Sequence, residues 1–307
     1  MQAFVSYEEI PESAQGAVIA IGSFDGMHRG HQVLVEQARQ LAAEKGSPLG
    51  LVTFDPHPVK ILAPKLAPPT LMARDEKLEA IAALGFDFAL LQNFTQDFAD
   101  MAPSNFVDDV LLRTMKVAGV VVGYDFSYGK KAVGSAQSLQ EQLRHHGVPV
   151  NIVTPQRLDG LVISSTKIRQ FVLEGKMSAA ATLLGRPFRL SGPVVKGDQR
   201  GRQIGTPTAN IAKQQEITPA LGVYAVWAHL GTETFPCVIN VGLRPTFGGD
   251  GITVEAHILD FNAEIYGQIL AVDFVQKIRS ERKFGSREDL MDQIQKDIQK
   301  AKKILVK

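Results

Sequence analysis

The sequence predicts an α/β chain of two parts: a parallel sheet covered by helices, then an antiparallel barrel or sandwich that ends in a helix. Three observations support this prediction. Apolar runs alternate with single helical patterns through the first half of the chain. From about residue 185 onward, apolar runs follow one another with Gly, Pro and Asn between them and little helical pattern. After Ser286 the apolar residues recur on one helical face.

Five short apolar runs in the first half predict strands, at residues 17–22, 49–55, 88–94, 117–126 and 148–154. The first helical pattern, with Leu34, Ala38 and Leu41 on one face, ends at the EKGSP stretch. The later helical patterns lie at 75–84, 104–115 and 135–146. Single helices between apolar strands imply a parallel sheet with both faces covered, and such sheets bind ligands at the carboxyl ends of their strands.

The second half contains five strand-like runs: RLSGPVVKG, GVYAVWAHL, FPCVINVG, TVEAHILDF and ILAVDFVQKIR. Short turns between such runs are typical of an antiparallel barrel or sandwich. The pattern changes within LLGRPF, residues 183–188, so we predict domains at 1–185 and 186–307. The terminal helix carries its apolar face on Leu290, Ile294, Ile298, Ala301 and Leu305.

The composition excludes several classes of function. Lys and Arg number 33 and Asp and Glu 32, so the chain lacks the positive charge that attracts nucleic acid, and we expect no nucleic-acid partner. Cys237 is the single cysteine, which rules out an intramolecular disulfide and fits a reducing compartment. The start is acidic, and no run of about 20 apolar residues occurs. We expect a cytoplasmic protein with no membrane partner and, at most, weak self-association.

Two of the 7 histidines, His28 and His31, lie three residues apart in IGSFDGMHRGH, residues 21–31. Zinc, packing and phosphate binding are the alternatives. Zinc requires three protein ligands, and only Asp55 and His57, at the next strand end, are nearby candidates. Packing would leave neutral imidazoles bonded to backbone groups of the turn. Phosphate is favoured, because glycine permits close approach of a ligand and the helix opening presents N–H groups to an anion.

A second stretch, ISSTKIR at residues 163–169, opens a predicted helix with hydroxyl groups and adds Lys167 and Arg169. This combination suits a triphosphate, although taken alone it also fits a serine N-cap on an ordinary helix. The helix dipole after the first turn disfavours an imidazolium, so His28 and His31 are expected to be neutral N–H donors to phosphate.

Together the two stretches resemble the H-x-G-H turn and the late Ser-Thr helix of the nucleotidyltransferase superfamily, whose domain is Rossmann-like. The resemblance implies that the turn binds the triphosphate of ATP. A second substrate then attacks the α-phosphorus in line and releases pyrophosphate, without a covalent enzyme intermediate. The enzyme's part in such a reaction is positioning and charge stabilisation.

Four stretches of the second half, in this order, resemble the riboflavin kinase module: GRQIGTPTANI (201–211), RPTFG (244–248), VEAHILDF (254–261) and IRSERKFGS (278–286). With the H-x-G-H turn, nearly the whole chain resembles the prokaryotic bifunctional riboflavin kinases/FMN adenylyltransferases, often called FAD synthetases. The resemblance implies an adenylyltransferase domain at 1–185 that makes FAD from FMN and ATP. It also implies a barrel-shaped kinase domain at 186–307 that makes FMN from riboflavin and ATP.

The resemblance also implies the residues of the adenylylation site. His28 and His31 match the catalytic histidines, and the other ATP and FMN contacts match Ser23, Phe24, Asp25, Gly30, Asp55, His57, Asp125, Phe126, Ser164, Ser165, Thr166 and Arg169. The chain departs from the family pattern in GYDFSYG. Ser127 stands where many members have an arginine, and Ala132 stands where another basic residue is common.

In the kinase module the resemblance implies Mg²⁺ together with ATP. Thr208 and Asn210 of PTAN match the residues that hold the ion, whose preferred ligands are hard oxygens. Glu255 matches the general base for the ribityl 5′-hydroxyl, although the pattern alone also fits a solvent-facing strand residue. The remaining ATP and flavin contacts match Lys196, Gly197, Arg202, Gly205, Pro207 and Arg279, where a solvated hairpin is the alternative for the glycine-rich part.

Two other nucleotide motifs fail. GYDFSYGKK is not a P-loop, because five residues separate Gly123 from Gly129 where four are needed. No G-x-G-x-x-G follows a predicted strand, so flavin is expected as substrate and product rather than as a redox cofactor.

Overall fold

Six parallel strands form the sheet in the first part of the chain: the five predicted ones and a short strand at Gln2–Phe4 that was not predicted. The computed structural model describes residues 1–197, 206–243 and 251–306. Its first sheet contains β1 (Gln2–Phe4), β2 (Val18–Ile21), β3 (Leu49–Asp55), β4 (Phe88–Asn93), β5 (Gly119–Gly123) and β8 (Val150–Val153). The strand order is β1-β4-β3-β2-β5-β8. Strand β2, buried at every position, lies between β3 and β5, and the chain order reverses there.

Helices connect these strands and cover the sheet. They are α1 (Arg29–Lys45), α2 (Pro58–Leu62), α3 (Arg74–Ala83), α4 (Gln96–Ala99), α5 (Pro103–Asn105), which continues as a π-helical segment (Phe106–Thr114), and α6 (Ala136–Arg144). Helix α1 ends at Gly46, whose φ of 61° is the left-handed conformation that glycine adopts at helix ends. Two hairpins pair β6 (Ser127–Tyr128) with β7 (Gly134–Ser135) and β9 (Arg157–Leu158) with β10 (Leu161–Val162). Strand β5 is shorter than predicted, because the chain turns after Gly123 and Phe126 N–H bonds back to its carbonyl.

The second part contains a closed antiparallel barrel, which decides between the barrel and the sandwich. Its strands are β11 (Phe188–Val195), β12 (Ala209–Ile211), β13 (Gly222–Leu230), β14 (Glu233–Leu243), β15 (Ile252–Ile258) and β16 (Ile269–Arg279). They close in the order β11-β12-β15-β14-β13-β16. Three buried aromatic rings fill the interior, with the Phe274 centroid 5.9 Å from Phe188 and 5.2 Å from Tyr224.

The predicted C-terminal helix is present as α9 (Arg287–Ile304). Ser286 begins it as N-cap, because its hydroxyl accepts the Asp289 N–H at 3.1 Å. Ala301 and Leu305 pack with apolar side chains of the barrel, including Val223 and Ile278.

The chain divides into two compact units, residues 1–68 with 74–164, and residues 69–73 with 165–307. Helices α7 (Ser165–Leu173) and α8 (Met177–Leu184) therefore belong to the second unit, where α8 packs on β11 and β16. The boundary between residues 185 and 186 stays a prediction, because packing alone does not establish which fragment folds independently.

Candidate active sites

The first candidate site is the turn that joins β2 to α1. Thr53 of β3, itself buried, donates its hydroxyl to the Ser23 carbonyl at 2.9 Å and so fixes the start of the turn. Phe24 and Met27 have left-handed φ values of 48° and 43°. Such conformations cost about 1–3 kcal/mol at a non-glycine residue and persist where the surroundings enforce them. The surrounding residues therefore hold the turn in this conformation at the carboxyl end of β2.

His28 and His31 lie face to face, with ring centroids 3.6 Å apart and planes within 13°. His28 is the N-cap of α1, and its Nδ1 accepts the His31 N–H at 3.2 Å. That Nδ1 is therefore unprotonated, and the neutral His28 ring carries its proton on Nε2. Gly30 permits this arrangement, because a Cβ there would lie 3.2 Å from the His28 ring.

Burial in the turn disfavours a charged His31 ring. Burial holds the pKa of His31 well below its ordinary value, and the nearby His28 and Lys77 lower it further. The Nδ1 atom of His31 is buried and has no hydrogen-bond partner within the residues that the structure describes. A buried polar atom without a partner is rare in proteins, and here it lies where a phosphate is expected.

The lowered pKa of His31 gives a first prediction. Below pH 6.5 the unfolded chain protonates this histidine while the folded chain does not, so the free energy of unfolding falls as the solution is acidified. The Tm of the wild type is expected to fall between pH 7.5 and pH 5.5. The Tm of His31→Gln is expected to fall less over the same range. His146→Gln, at an exposed position, is the matched control. Equal drops in all three proteins would contradict the lowered pKa.

Lys77, which the sequence analysis did not predict, lies at the same turn. This half-buried lysine of α3 donates from Nζ to the Ser23 carbonyl at 3.0 Å. Burial lowers its pKa, whereas the carboxylates of Asp25 and Asp55 act in the opposite direction. In the sequence Lys77 belongs to RDEKLEA, which is typical of a solvated helix surface. The available signal was that α3 lies between β3 and β4, which meet at the edge of the sheet where the site was expected.

The predicted residues at the end of β3 have local roles in the structure. The Asp55 carboxylate lies 3.3 Å from Nε of Arg74. His57 is the N-cap of α2, and its Nδ1 accepts the Val59 N–H at 3.3 Å. Within the described residues no cluster of three or more His, Cys, Asp or Glu side chains could hold a metal ion, so the zinc alternative gains no support.

The aromatic residues predicted at this site differ in exposure. Phe24 is fully buried and packs against His31, with ring centroids 5.1 Å apart. In this structure Phe24 therefore packs against the turn from the side of the core. Phe126 is half-buried and stacks on Tyr128 at 5.8 Å, next to the exposed Asp125. Phe126 is therefore the predicted ring that remains open to a ligand. Lys130, three residues after Ser127, has its ammonium group 3.2 Å from the Asp100 carboxylate.

The ISSTKIR stretch is divided between the two units. Ser164 ends the first, while Ser165 begins α7 in the second and Thr166 follows in its first turn. Arg169 is buried, and its Nε donates to the Pro69 carbonyl at 2.8 Å. In this structure its guanidinium therefore holds the segment 69–73.

The second candidate site lies on the outer face of the barrel under α9. Glu255 of β15 is opposite Asn210 of β12 on one side and Asn240 of β14 on the other. Its neighbours Val254 and Ala256 are buried in the barrel, so Glu255 points to the other face. There it lines a cavity of about 350 Å³ together with Thr208, Asn240, Arg279, Phe284, Leu290 and Ile294. The outward orientation of Glu255 is consistent with a carboxylate in a strand whose other face is buried.

Arg279 is held in place by a residue that the sequence analysis did not predict. Asp297 of α9 is buried and accepts the Arg279 Nε–H at 2.9 Å. The guanidinium carbons of Arg279 and Arg282 lie 5.6 and 4.7 Å from the ring centroid of Phe284. The wall of the cavity thus combines cations, an aromatic ring and the apolar side chains of α9.

A second cavity, of about 460 Å³, adjoins the PTAN stretch. Pro207 and Thr208 line it together with Phe261, Glu264, Ile265 and Tyr266. Thr208 lines both cavities. The Lys196 ammonium lies 6.0 Å from the Tyr266 ring, and Gly197 packs so closely on Asn210 that a Cβ would lie 2.2 Å from its amide nitrogen. Arg202 and Gly205, with the RPTFG stretch, lie outside the described residues.

Two family models match the chain: FAD synthetase over residues 10–167 and riboflavin kinase over residues 184–305. The matches have the predicted order. The bifunctional riboflavin kinase/FMN adenylyltransferase of Escherichia coli (strain K12) is 37% identical over 284 residues, which cover 92% of this chain and 91% of the relative. The protein of the same description from Listeria monocytogenes is 39% identical over 293 residues, with coverages of 94% and 93%.

A crystal structure described as a macrolide-efflux protein from Streptococcus pneumoniae is also similar. It aligns with a TM-score of 0.87 and 30% identity over 98% of both chains. In the part of the chain that the structure describes, no helix has both the length and the apolar character needed to cross a membrane. The alignment shows that the two chains share the fold of both units.

Proposed function

This chain belongs to the family of bifunctional riboflavin kinase/FMN adenylyltransferases, and we propose that it carries out both reactions. The barrel unit transfers the γ-phosphoryl group of ATP to riboflavin and forms FMN. The parallel-sheet unit transfers the adenylyl group of a second ATP to FMN and forms FAD and pyrophosphate. The observation that carries the proposal is the position of Thr208 on the wall shared by two cavities, with Glu255 on one of them.

In the kinase reaction Glu255 is the proposed general base. The cavity under α9 has the apolar side chains and aromatic ring that suit an isoalloxazine, so we place riboflavin there and ATP in the cavity beside Tyr266. The ribityl 5′-hydroxyl then reaches the γ-phosphorus near Thr208. Glu255 accepts the proton of this hydroxyl as the new O–P bond forms and ADP leaves. Arg279, fixed by Asp297, positions the flavin.

Thr208 and Asn210 are the proposed ligands of Mg²⁺. Their hydroxyl and amide oxygens are hard donors, and Mg²⁺ commonly takes only one or two protein ligands beside substrate phosphates and water. The tight packing of Gly197 on Asn210 fixes the amide. When bound, the ion would neutralise charge on the ATP phosphates. Lys196, Gly197 and Pro207 complete the approach to ATP, as do Arg202 and Gly205 by the resemblance.

In the adenylyl transfer, His28 and His31 are the proposed donors to the phosphates. His28 Nδ1 accepts a backbone N–H and burial disfavours a charged His31, so each ring is proposed to contribute one N–H group to the oxygens around the α-phosphorus as the FMN phosphate attacks in line. Ser23, Asp25 and Gly30 shape the turn beneath them. The other proposed contacts to ATP and FMN are Asp55, His57, Asp125, Phe126, Ser164, Ser165, Thr166 and Arg169, with Phe24 as support for His31.

A single incubation tests the proposed function. Riboflavin, ATP and Mg²⁺ are mixed with the protein, and the flavins are separated by chromatography over time. FMN is expected first and FAD afterwards, and chelation of Mg²⁺ with EDTA is expected to stop the formation of FMN. Supplied FMN without riboflavin isolates the second step. Recovery of unchanged riboflavin would contradict the kinase, and recovery of unchanged FMN would contradict the adenylyltransferase.

The proposed boundary predicts that residues 186–307 fold alone and make FMN but not FAD. The fragment retains the closed barrel, α9 and both cavities. Residues 165–307, which add α7 and α8, are the matched fragment, because α8 packs on the barrel. Circular dichroism and flavin chromatography are the measurements. If only the longer fragment folds, the boundary lies before α7. If neither phosphorylates riboflavin, the kinase unit does not act independently.

A cytoplasmic location is also proposed, supported by the use of ATP and by the single, buried Cys237. The proposal includes no nucleic-acid or membrane partner and, at most, weak self-association.

A further inference from the structure

The adenylyl-transfer turn needs a positive charge that its histidines do not supply. The triphosphate of ATP carries several negative charges, and more charge moves onto the leaving pyrophosphate as the bond to the α-phosphorus breaks. His28 and His31 are stacked 3.6 Å apart, so protonating both would place two cations in contact. The stacked pair therefore cannot supply two positive charges, and a cation from another side chain at this turn would add to the stabilisation of the phosphates.

Lys77 brings an ammonium group to the turn from a different element. Its Nζ donates to the Ser23 carbonyl at 3.0 Å, and Thr53 donates to the same oxygen. An ammonium group has three N–H donors, so this bond leaves two for a ligand. The Ser23 carbonyl thus acts as an anchor that holds Nζ beside the histidine pair.

The charges around Lys77 keep a cation in a partly desolvated position. Asp25 and Asp55 favour its charged form, while burial and Lys60 oppose it. Asp25 is itself buried. A buried charge is retained only with such compensation, and groups of this kind are concentrated at functional sites. Lys77 also lowers the pKa of His31, so the two groups lie close enough to interact electrostatically.

We infer that Lys77 is a catalytic residue of adenylyl transfer, which contacts the ATP phosphates and stabilises the charge on the departing pyrophosphate. This inference rests on the proposed adenylyltransferase reaction. An oxygen of the FMN phosphate forms a bond to the α-phosphorus, and the bond from that phosphorus to the bridging oxygen of the β-phosphate breaks. The electron pair leaves with pyrophosphate. Lys77 stays protonated throughout and supplies only charge and N–H donors.

The alternative is that Lys77 merely braces the turn through Ser23. Two variants separate these roles. Lys77→Gln keeps an N–H donor for the carbonyl but removes the charge, and it is expected to lower kcat/KM for ATP in adenylylation by roughly 10²-fold. Lys77→Arg keeps the charge and is expected to stay within about tenfold of the wild type. Lys45→Gln, at an exposed position at the end of α1, controls for the change in net charge.

Inhibition by two fragments of ATP supplies the decisive measurement. With Lys77→Gln, the inhibition constant of tripolyphosphate is expected to rise about tenfold or more, while that of adenosine stays the same. If the inhibition constants of tripolyphosphate and adenosine rise equally, the turn is damaged and the inference is overturned. Wild-type kinetics in Lys77→Gln would also overturn it. If Lys77→Gln does not fold, Lys77→Arg is measured instead. This variant keeps the positive charge, so loss of its inhibition by tripolyphosphate would also overturn the inference. Riboflavin phosphorylation serves as the folding control, and a wild type that forms no FAD would contradict the proposed function instead.

Discussion

Glu255→Gln is expected to slow riboflavin phosphorylation by about 10²–10⁴-fold, equivalent to roughly 3–5 kcal/mol of barrier. Glutamine keeps the size and hydrogen-bonding shape of the side chain, and its backbone partners Asn210 and Asn240 are unaffected. It cannot accept the proton of the 5′-hydroxyl. The loss should therefore appear in kcat, with riboflavin binding nearly unchanged. Initial rates over a range of riboflavin concentrations, with ATP in excess, measure both.

Two controls make the Glu255 result interpretable. The variant should still convert supplied FMN to FAD at close to the original rate, because that step is assigned to the other unit. Glu233→Gln, at an exposed position at the start of β14, should leave both reactions unchanged. Phosphorylation within a few-fold of the wild type would make Glu255 a structural residue of the strand, and the base would have to be sought elsewhere.

Replacing either His28 or His31 with alanine is expected to slow FMN adenylylation by roughly 10²-fold or more, because donors to the phosphates are lost in the transition state. Riboflavin phosphorylation should survive both changes, since the barrel unit has its own site. The rates of FAD and FMN formation, each measured from its own substrate, test the prediction. Equal loss of both activities would indicate damage to the fold instead of to the site.

His28 has a second role, because its ring caps α1. Alanine at an N-cap costs about 1 kcal/mol, so His28→Ala alone combines a loss of stability with a loss of chemistry. His28→Asn is the matched variant, since asparagine is a good N-cap but lacks the imidazole. It should restore the Tm without restoring adenylylation. Stoichiometric zinc in the purified protein, lost in either histidine variant, would favour the metal alternative.

Features that depend on a few consecutive residues could be predicted. The strand, turn and helix around His28 and His31 follow from an apolar run, a glycine-containing turn and helical spacing, all within residues 17–45. The C-terminal helix follows from its apolar face and its Ser286 cap. Barrel strands were visible as separate apolar runs. The closure of these strands into a barrel was not visible, because hydrogen bonding between strands joins segments that are far apart in the chain.

Side chains that act at a distance along the chain could not be predicted from the residues alone. Lys77 is 54 positions from the carbonyl that anchors it, and Asp297 is 18 positions from Arg279. In both cases a charged residue on a helix is typical of a solvated surface, and only packing shows that it is buried against a partner. Phe24 presents the reverse case, since a ring expected to face a ligand is enclosed by the core.

The sequence by itself determined the order of the two modules, the parallel and antiparallel classes of their sheets, and the motifs that identify the family. These depend on hydrophobic periodicity and on short motifs, which are local properties of the chain. Only the tertiary structure decided that Asn210 and Asn240 flank Glu255, that Thr208 borders two cavities, and that Lys77 reaches the histidine turn. Register, cavity shape and burial of charge arise when distant segments pack together, so no local pattern contains them.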